Sequence, residues 1–151
     1  MRTRWLILYA GLILCTPALF GTSNSKIKPS PRSINSAFRL EIEFDPGRAD
    51  IKKGYDADIR RVVAYLNDYP YTKCEIRGYT DNVGSDTGNR KLSQQRADSV
   101  RRYMIDKLGL SPERLTARGY GKADPIASNR TDKGRRLNRR IVAVVTGQPP
   151  T

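Results

Sequence analysis

The sequence contains no histidine, one tryptophan and two cysteines in 151 residues. Without histidine, the chain lacks the side chain that most often works as a general acid or base near neutral pH, and it lacks the usual zinc ligand. The cysteines, Cys15 and Cys74, are too few for a disulfide framework. These absences exclude histidine-based catalysis and most zinc sites.

Acidic residues are also scarce, since 15 of them stand against 28 lysines and arginines and leave a formal net charge of +13. A surplus of this size suggests an anionic neighbourhood, such as nucleic acid, an anionic membrane surface or an acidic polymer. Hydrophobic residues make up 38% and charged residues 28% of the chain, which is typical of a single soluble globular domain.

The N-terminus has the pattern of a secretory signal. Arg2 and Arg4 precede the apolar run WLILYAGLILC, and Pro17 and small residues follow it. We therefore predict a signal peptide over residues 1–23, with an uncleaved anchor as the alternative, although the run is short for a membrane span. Leu14 before Cys15 disfavours a lipoprotein signal. The polar residues 24–37, with two prolines, predict an extended linker.

Residues 38–147 predict one α/β domain, and residues 148–151 a short tail. Alternation of Phe38, Leu40, Ile42 and Phe44 with polar residues predicts a half-buried first strand. The remaining pattern predicts a helix ending before Pro70, a strand at 73–80, a helix over 89–108, a strand at 114–121, a polar loop over 120–138 and a last strand, RIVAVV. The almost unbroken apolar run of this last strand is typical of burial on both faces. This order implies a mixed sheet of about four strands covered by two helices.

The second predicted helix carries an arginine inside its apolar stripe. Leu92, Val100, Met104 and Leu108 recur at fourfold spacing, and Arg96 occupies the missing position of that row. Asn89 lies seven residues earlier, about 20° away around the helix axis, and could cap the helix. Together with Leu92 and Ser93, these side chains share one surface near the helix start.

The preceding loop, GYTDNVGSDTG, brings Asp81 close to that surface. Arg96 could bind a carboxylate through two hydrogen bonds, while Asp81 could bind an ammonium group. Backbone amides of Asn82, Val83 and Gly84 would complete the site. The set suits a zwitterionic ligand. The alternative is that Asp81 and Arg96 pair with each other and only hold the loop to the helix.

The segment NRTDKGRRLNRR, residues 129–140, is rich in arginine and lysine. Such a run is usually a solvated face, and nucleic-acid binding is the functional alternative. No aromatic residues alternate with these basic ones as a stacking surface would require, and there is no helix-turn-helix or zinc pattern. We therefore expect no nucleic-acid partner.

Four motifs, GYTD, NRKLSQQRA, GYG and GRRLNRR before a strand, together resemble the OmpA-like C-terminal domain over roughly residues 38–146. The resemblance implies a βαβαββ fold and non-covalent binding of the diaminopimelate in the peptidoglycan stem peptide. It carries the family's ligand-binding Asp to Asp81, its Arg to Arg96, its Asn to Asn89 and the Arg of NRR to Arg139. Many family members have His where this chain has Tyr79, a change from which we expect little loss of binding.

The sequence thus predicts a non-enzymatic module that tethers itself or an envelope complex to peptidoglycan in a Gram-negative periplasm. We predict a diaminopimelate site made of eight residues: Asp81, Asn82, Val83, Gly84, Asn89, Leu92, Arg96 and Arg139. We expect no cofactor and no metal, and outer-membrane or other envelope proteins are possible partners. Two alternatives are a basic protein that binds nucleic acid or anionic membranes, and a wall-cleaving enzyme that uses Asp81 with Asp86 as paired carboxylates.

Overall fold

The computed structural model describes residues 34–147, except 41, 43, 45, 46, 52 and 53. The predicted signal peptide, residues 24–33 of the predicted linker and the tail lie outside the described residues. The elements in chain order are β1 (Ile34–Leu40), α1 (Ala57–Asp68), β2 (Thr72–Gly78), α2 (Asp86–Asp106), a 3-10 turn (Pro112–Arg114), β3 (Leu115–Gly119), α3 (Asp132–Asn138) and β4 (Ile141–Gly147).

The four strands form one mixed sheet in the order β1-β4-β2-β3. The last strand, β4, is central and runs antiparallel to both β1 and β2, whereas β2 and β3 are parallel. The predicted mixed four-stranded sheet is therefore confirmed. Because β2 and β3 are parallel, their carboxyl ends meet at one edge, where the segment that carries Asp81 begins.

The core lies between one face of the sheet and the two longer helices. Alternate strand residues point into it, and each helix contributes one apolar stripe. Buried apolar side chains of the core include Ile59, Val62 and Leu66 in α1, Ala97, Val100 and Met104 in α2, and Leu40, Cys74, Ile76, Ile141, Ala143 and Val145 in the strands. Among the described residues, no helix is both long and apolar enough to cross a bilayer.

Two glycines allow α2 to lie directly on the sheet. A Cβ atom at Gly78 would collide with the carbonyl oxygen of Ser93, and one at Gly119 would come within 2.6 Å of the Ser93 hydroxyl oxygen. That hydroxyl accepts a hydrogen bond from the amide of Gly121 at 2.9 Å. This close approach fixes where the first half of α2, and therefore Arg96, lies relative to the carboxyl ends of β2 and β3.

The first strand begins earlier than predicted. Ile34 is buried and pairs with Gly147, so residues 34–37 of the predicted linker belong to β1. Asn35 and Ser36 have low strand propensity, and pairing with β4 overrides it. β1 also ends at Leu40, before Ile42 and Phe44, which lie outside the strand.

The predicted polar loop over 120–138 contains a third helix, α3, that the sequence analysis missed. Only Leu137 among its seven residues is apolar, so the helix has no hydrophobic periodicity to recognise. Hydrogen bonds hold it instead: Thr131 caps its first turn by accepting from the amide of Gly134. The buried side chain of Asn138 accepts from the amides of Ile126 and Ala127 at 2.9 and 3.0 Å.

The start of α2 and the environment of β4 also differ from the predictions. Ser85, not Asn89, caps α2, because its side-chain oxygen accepts from the amide of Gly88 and the helix begins at Asp86. In β4, Val142 and Val144 are only partly buried, so the strand is not fully buried on both faces.

Candidate ligand-binding cavity

A cavity of about 660 Å³ opens where the carboxyl end of β2, the first half of α2, the segment after β1 and α3 meet. The described residues of its wall include apolar side chains, several arginines and one carboxylate. The lining residues are Ile42, Phe44, Gly47, Thr80, Asp81, Val83, Asn89, Leu92, Arg96, Arg135, Arg136 and Arg139. The cavity therefore includes six of the eight predicted site residues.

Asp81 lies in the cavity wall three residues after the end of β2, and its side chain is 11% exposed. One carboxylate oxygen, Oδ1, accepts a hydrogen bond from the amide of Val83 at 3.1 Å. The other, Oδ2, accepts from Nη1 of Arg139 at 2.7 Å. These contacts fix both oxygens in place, and the ion partner of Asp81 is Arg139, not Arg96 as the pairing alternative proposed.

Arg96 is buried at the floor of the cavity, with only 4% of its surface exposed. Its Nε donates to the carbonyl oxygen of Arg48 at 3.0 Å, and its guanidinium carbon lies 4.8 Å from the centre of the Phe44 ring. Burial lowers the pKa of Arg96, and the nearby positive charge of Arg139 lowers it further, while Asp81 opposes both effects. A buried cation in this field is stabilised by an added anion.

Asn89 shapes the cavity by holding the loop that follows β2. Its side-chain nitrogen donates to the carbonyl oxygen of Val83 at 3.0 Å, which ties this loop to α2. Because Ser85 caps α2, Asn89 does not act as the helix cap. Its side chain is instead buried beside the cavity.

The predicted set of loop amides is only partly present. Val83 lines the cavity, but its amide already donates to Asp81. Asn82 and Gly84 are exposed and are not among the lining residues. The loop folds back so that the amide of Val83 points to the carboxylate of Asp81. A pattern of turn-forming residues does not predict this arrangement.

Several lining residues were not predicted. Ile42, Phe44 and Gly47 come from the segment after β1, and Thr80 precedes Asp81. Arg135 and Arg136 come from α3, so part of the basic run 129–140 faces the cavity instead of forming only a solvated surface. Recognising α3 would have revealed this, because Arg135 and Arg139 are four residues apart and therefore neighbours on one helical surface.

Among the lining residues that the structure describes, four arginines accompany one carboxylate, that of Asp81. Arg135 is partly neutralised by an ion pair with Asp132 outside the cavity. The second carboxylate of the enzymatic alternative, Asp86, is not a lining residue and pairs with Lys122 at 2.5 Å. Across the described part of the chain, no three His, Cys, Asp or Glu side chains gather as a metal-binding set.

Comparison with known protein families gives one match, in which residues 43–139 fit the sequence model of the OmpA family. Two similar curated proteins are outer membrane porin F of Pseudomonas fluorescens, 40% identical over 109 residues, and outer membrane protein Omp38 of Acinetobacter baumannii, 34% identical over 123 residues. These alignments cover 72% and 80% of this chain but only 33% and 35% of the relatives. The chain therefore spans about a third of the length of the relatives it matches.

Solved structures share the fold. The peptidoglycan-associated lipoprotein of Burkholderia pseudomallei is 28% identical, with a TM-score of 0.63, and the match covers 81% of this chain and 97% of that one. A putative MotB-like protein of Desulfovibrio vulgaris is also 28% identical, with a TM-score of 0.64, over 79% of this chain and 75% of that one. Both matches therefore cover most of this chain.

Proposed function

The chain belongs to the OmpA family, and on this premise we propose that its cavity binds peptidoglycan non-covalently and so tethers the protein, or an envelope complex, to the cell wall. The relatives are named as outer-membrane proteins, which places the chain among cell-envelope proteins, as predicted from the sequence. The ligand we propose is the zwitterionic end of diaminopimelate in the stem peptide. The observation that carries the proposal is that Asp81 and the buried Arg96 line the same cavity.

Each charged group of the ligand has a counterpart. A carboxylate can accept about four hydrogen bonds, so Asp81 can bind an ammonium group in addition to Val83 and Arg139. A guanidinium carries five donors in a fixed fork, a geometry that suits a carboxylate bound through two hydrogen bonds. A ligand carboxylate at Arg96 would also relieve the repulsion between Arg96 and Arg139.

The apolar part of the wall suits the carbon chain that links this zwitterionic end to the stem peptide. Leu92, Ile42 and Phe44 line the cavity, and they are partly or fully buried. A short aliphatic side chain that carries both charges at its far end can therefore contact apolar groups along its length and charged groups at its tip. The similarity to the peptidoglycan-associated lipoprotein of Burkholderia pseudomallei supports the same ligand class.

Sedimentation with purified sacculi tests this proposal. The wild type should sediment at both low and high salt, while Arg96→Met, which retains side-chain volume and removes the charge, should reduce the bound fraction at least about tenfold. Arg102→Met on the exposed surface of α2 is the matched control and should bind like the wild type. Thermal melts confirm that each variant is folded.

Competition with small molecules tests the ligand itself. Diaminopimelate whose amino and carboxyl groups are blocked at one end should release the protein from sacculi, whereas lysine blocked at its α-amino and α-carboxyl groups, which keeps only an ammonium group, should release it far less well. If lysine competes equally, the zwitterion assignment is wrong. Muropeptides released into the supernatant would instead indicate an enzyme.

The basic run supports a second candidate, binding to nucleic acid or anionic membranes. It predicts binding that falls steeply with salt and does not depend on Arg96. The same sedimentation experiment distinguishes the two functions, because high salt would then release both the wild type and Arg96→Met.

A further inference from the structure

The second face of the sheet is not covered by α1 or α2. Both helices pack against the side to which Cys74, Ile76 and Ala143 point, so the alternate residues of each strand face away from them. On this outer face Thr116 and Ala37 are exposed. The outer face is therefore open to solvent over the described strands.

Three arginines lie in one row across this outer face. Arg39 of β1 pairs in register with Val142 of β4, which pairs with Arg77 of β2, which in turn pairs with Arg118 of β3. Neighbouring strands are about 4.8 Å apart, so this arginine row (Arg39, Arg77 and Arg118) spans about 14 Å at right angles to the strands.

An aromatic pair lies beside the arginine row and holds part of it in place. The rings of Tyr79 and Tyr120 stack with centres 5.3 Å apart. The guanidinium carbons of Arg77 and Arg118 lie 5.6 and 5.4 Å from the centre of the Tyr120 ring, and that of Arg140 lies 3.8 Å from the centre of the Tyr79 ring. Cation–π contacts of this kind fix the positions of otherwise flexible side chains.

Within the part of the chain that the structure describes, one carboxylate, that of Glu75, pairs with the arginine row. Glu75 pairs with Arg77 at 2.5 Å and also accepts from the hydroxyl of Tyr120 at 3.2 Å. Arg39 and Arg118 are exposed, and neither makes an ion pair with any residue in the part of the chain that the structure describes. Arg77 and Arg118 are directly opposite each other in adjacent strands, an arrangement of like charges that is destabilising and that a bound anion would relieve.

We propose that the arginine row is a docking surface for an acidic segment of another protein, with at least two carboxylates within about five residues of extended chain. The surface is distinct from the cavity, and the inference does not depend on the proposed function. Arg39 and Arg118 would each bind a carboxylate, while Arg77, shared with Glu75, would contribute charge at the centre. The area is small and polar, as in a transient electrostatic contact.

The charges and the rings favour this occupant over others. No acidic residue precedes Glu41 in the sequence, so the N-terminal segment of the chain lacks the complementary charge, and a second copy with a net charge of +13 would be repelled. Tyr79 and Tyr120 already stack on each other and contact guanidinium groups, so their faces are occupied and unsuited to stacking on bases. The exposed large hydrophobic residues that the structure describes, Val83 and Ile126, lie outside the strands, where they would not assist membrane docking by this face.

The test is a titration of the purified protein with a five-residue peptide of alternating Glu and Asp, in which binding is detected from NMR chemical-shift changes of the protein. The control peptide contains Gln and Asn in the same order. The expected result is binding of the acidic peptide only, with shifts confined to the outer face. Arg39→Glu combined with Arg118→Glu should weaken binding at least about tenfold.

A control with the same change in charge separates a local site from net charge. Arg102→Glu combined with Lys107→Glu alters exposed residues at the other side of the sheet, in and just after α2, and should change the affinity less than about threefold. Equal weakening by both double variants overturns the proposal, as does the absence of binding by the wild type. Stronger binding to a single-stranded oligonucleotide or to anionic vesicles than to the peptide, with the same dependence on Arg39 and Arg118, would replace the proposed partner with that class.

Discussion

The two faces of the sheet use arginine in opposite ways. On the helix-covered side, Arg96 is 4% exposed, held by the carbonyl of Arg48 and set beside the ring of Phe44. On the outer side, Arg118 is exposed and its guanidinium carbon lies 5.4 Å from the centre of the Tyr120 ring. The same side chain is therefore a fixed, desolvated group in one place and a solvated charge in the other.

This difference separates selectivity from attraction. A buried guanidinium loses hydration, so it favours one anion of matching geometry and is poorly screened by salt. An exposed row attracts many anions at long range and loses its effect as ionic strength rises. On this argument, the cavity suits recognition of one chemical group and the outer face suits a weaker, charge-guided contact.

Among the variants that test this difference between the two faces, Gly78→Ala should have the largest effect, because it disturbs the packing of α2 against the sheet. The added Cβ would collide with the backbone carbonyl of Ser93, which cannot move without moving the helix. We expect a loss of about 2–3 kcal/mol in the free energy of unfolding, measured by urea denaturation, together with weaker ligand binding in the cavity.

Gly88→Ala is the matched control for this change. A Cβ at Gly88 meets only the side-chain oxygen of Ser85, at 3.0 Å, and alanine favours the helix. Its effect should be within about 1 kcal/mol of zero. If Gly78→Ala were as mild as this control, the close contact between α2 and β2 would not be what positions Arg96.

The next largest effect concerns the thiol of Cys74, whose side chain lies on the helix-covered face of β2. Burial raises the pKa of its thiol to about 12, and a buried thiol therefore favours the protonated form. The folded protein holds the proton more tightly than the unfolded chain does, so this contribution to stability is complete below about pH 9 and is lost as the pH rises from about 9 towards 12.

Thiol labelling at pH 8 in a Cys15→Ser background compares the solvent accessibility of the two faces of the sheet. Cys74 should react only through unfolding, whereas Thr116→Cys, placed on the outer face in a background that also contains Cys74→Ala, should react at the rate of an exposed thiol. Similar rates for the two positions would contradict the assignment of covered and open faces.

The sequence predicted the fold where apolar periodicity was strong and failed where hydrogen bonds hold the structure. The helix containing Val100 and Met104 was recognised because its stripe is buried against the sheet. α3 was missed because Asn138 and the cap at Thr131 hold it, and neither leaves a periodic signal. The start of β1 at Ile34 was missed because its pairing partner, Gly147, is distant in sequence.

The sequence predicted which residues line the cavity better than it predicted how they contact one another. Asp81 and Arg96 were expected in one cavity from helical spacing and from the family motifs, and both line it. The partner of Asp81 could not be inferred, since Arg139 reaches it across 58 positions of the sequence through the arrangement of β2, β4 and α3. Long-range contacts of this kind depend on the whole fold.

A smaller effect is expected from Asp81→Asn, which acts only on the cavity. Asparagine keeps the shape and can still accept from the amide of Val83, but it loses the ion pair with Arg139. We expect a loss of about 1–2 kcal/mol in stability and of most sacculus binding, with acidic-peptide binding at the outer face unchanged. Asp86→Asn, whose carboxylate is 77% exposed in its pair with Lys122, is the control and should alter neither. Undiminished sacculus binding by Asp81→Asn would remove Asp81 from the site.

The smallest effect at neutral pH should come from Tyr79→His, which introduces the histidine that many family members have at this position. Tyr79 is not a cavity-lining residue, and it stacks on Tyr120 on the outer side, so ligand binding should change less than about twofold. An imidazole this close to Arg140, whose guanidinium lies 3.8 Å from the present ring centre, would have its pKa lowered by burial and by the like charge.

This lowered pKa gives the variant a pH dependence that the wild type lacks. The unfolded chain would bind the proton more tightly than the folded protein, so stability should fall as the pH drops below about 6.5, by about 1 kcal/mol at pH 5. Thermal melts at pH 7.5 and pH 5 measure the loss, and Tyr79→Phe, which keeps the stacked ring without a titrating group, should show no such difference. A pH-independent Tyr79→His variant would mean that Arg140 turns away from this ring in solution, and the anchoring of the outer face by its aromatic pair would then be in doubt. Loss of sacculus binding at pH 7.5 would instead mean that the two faces of the sheet are coupled through the chain between Gly78 and Asp81.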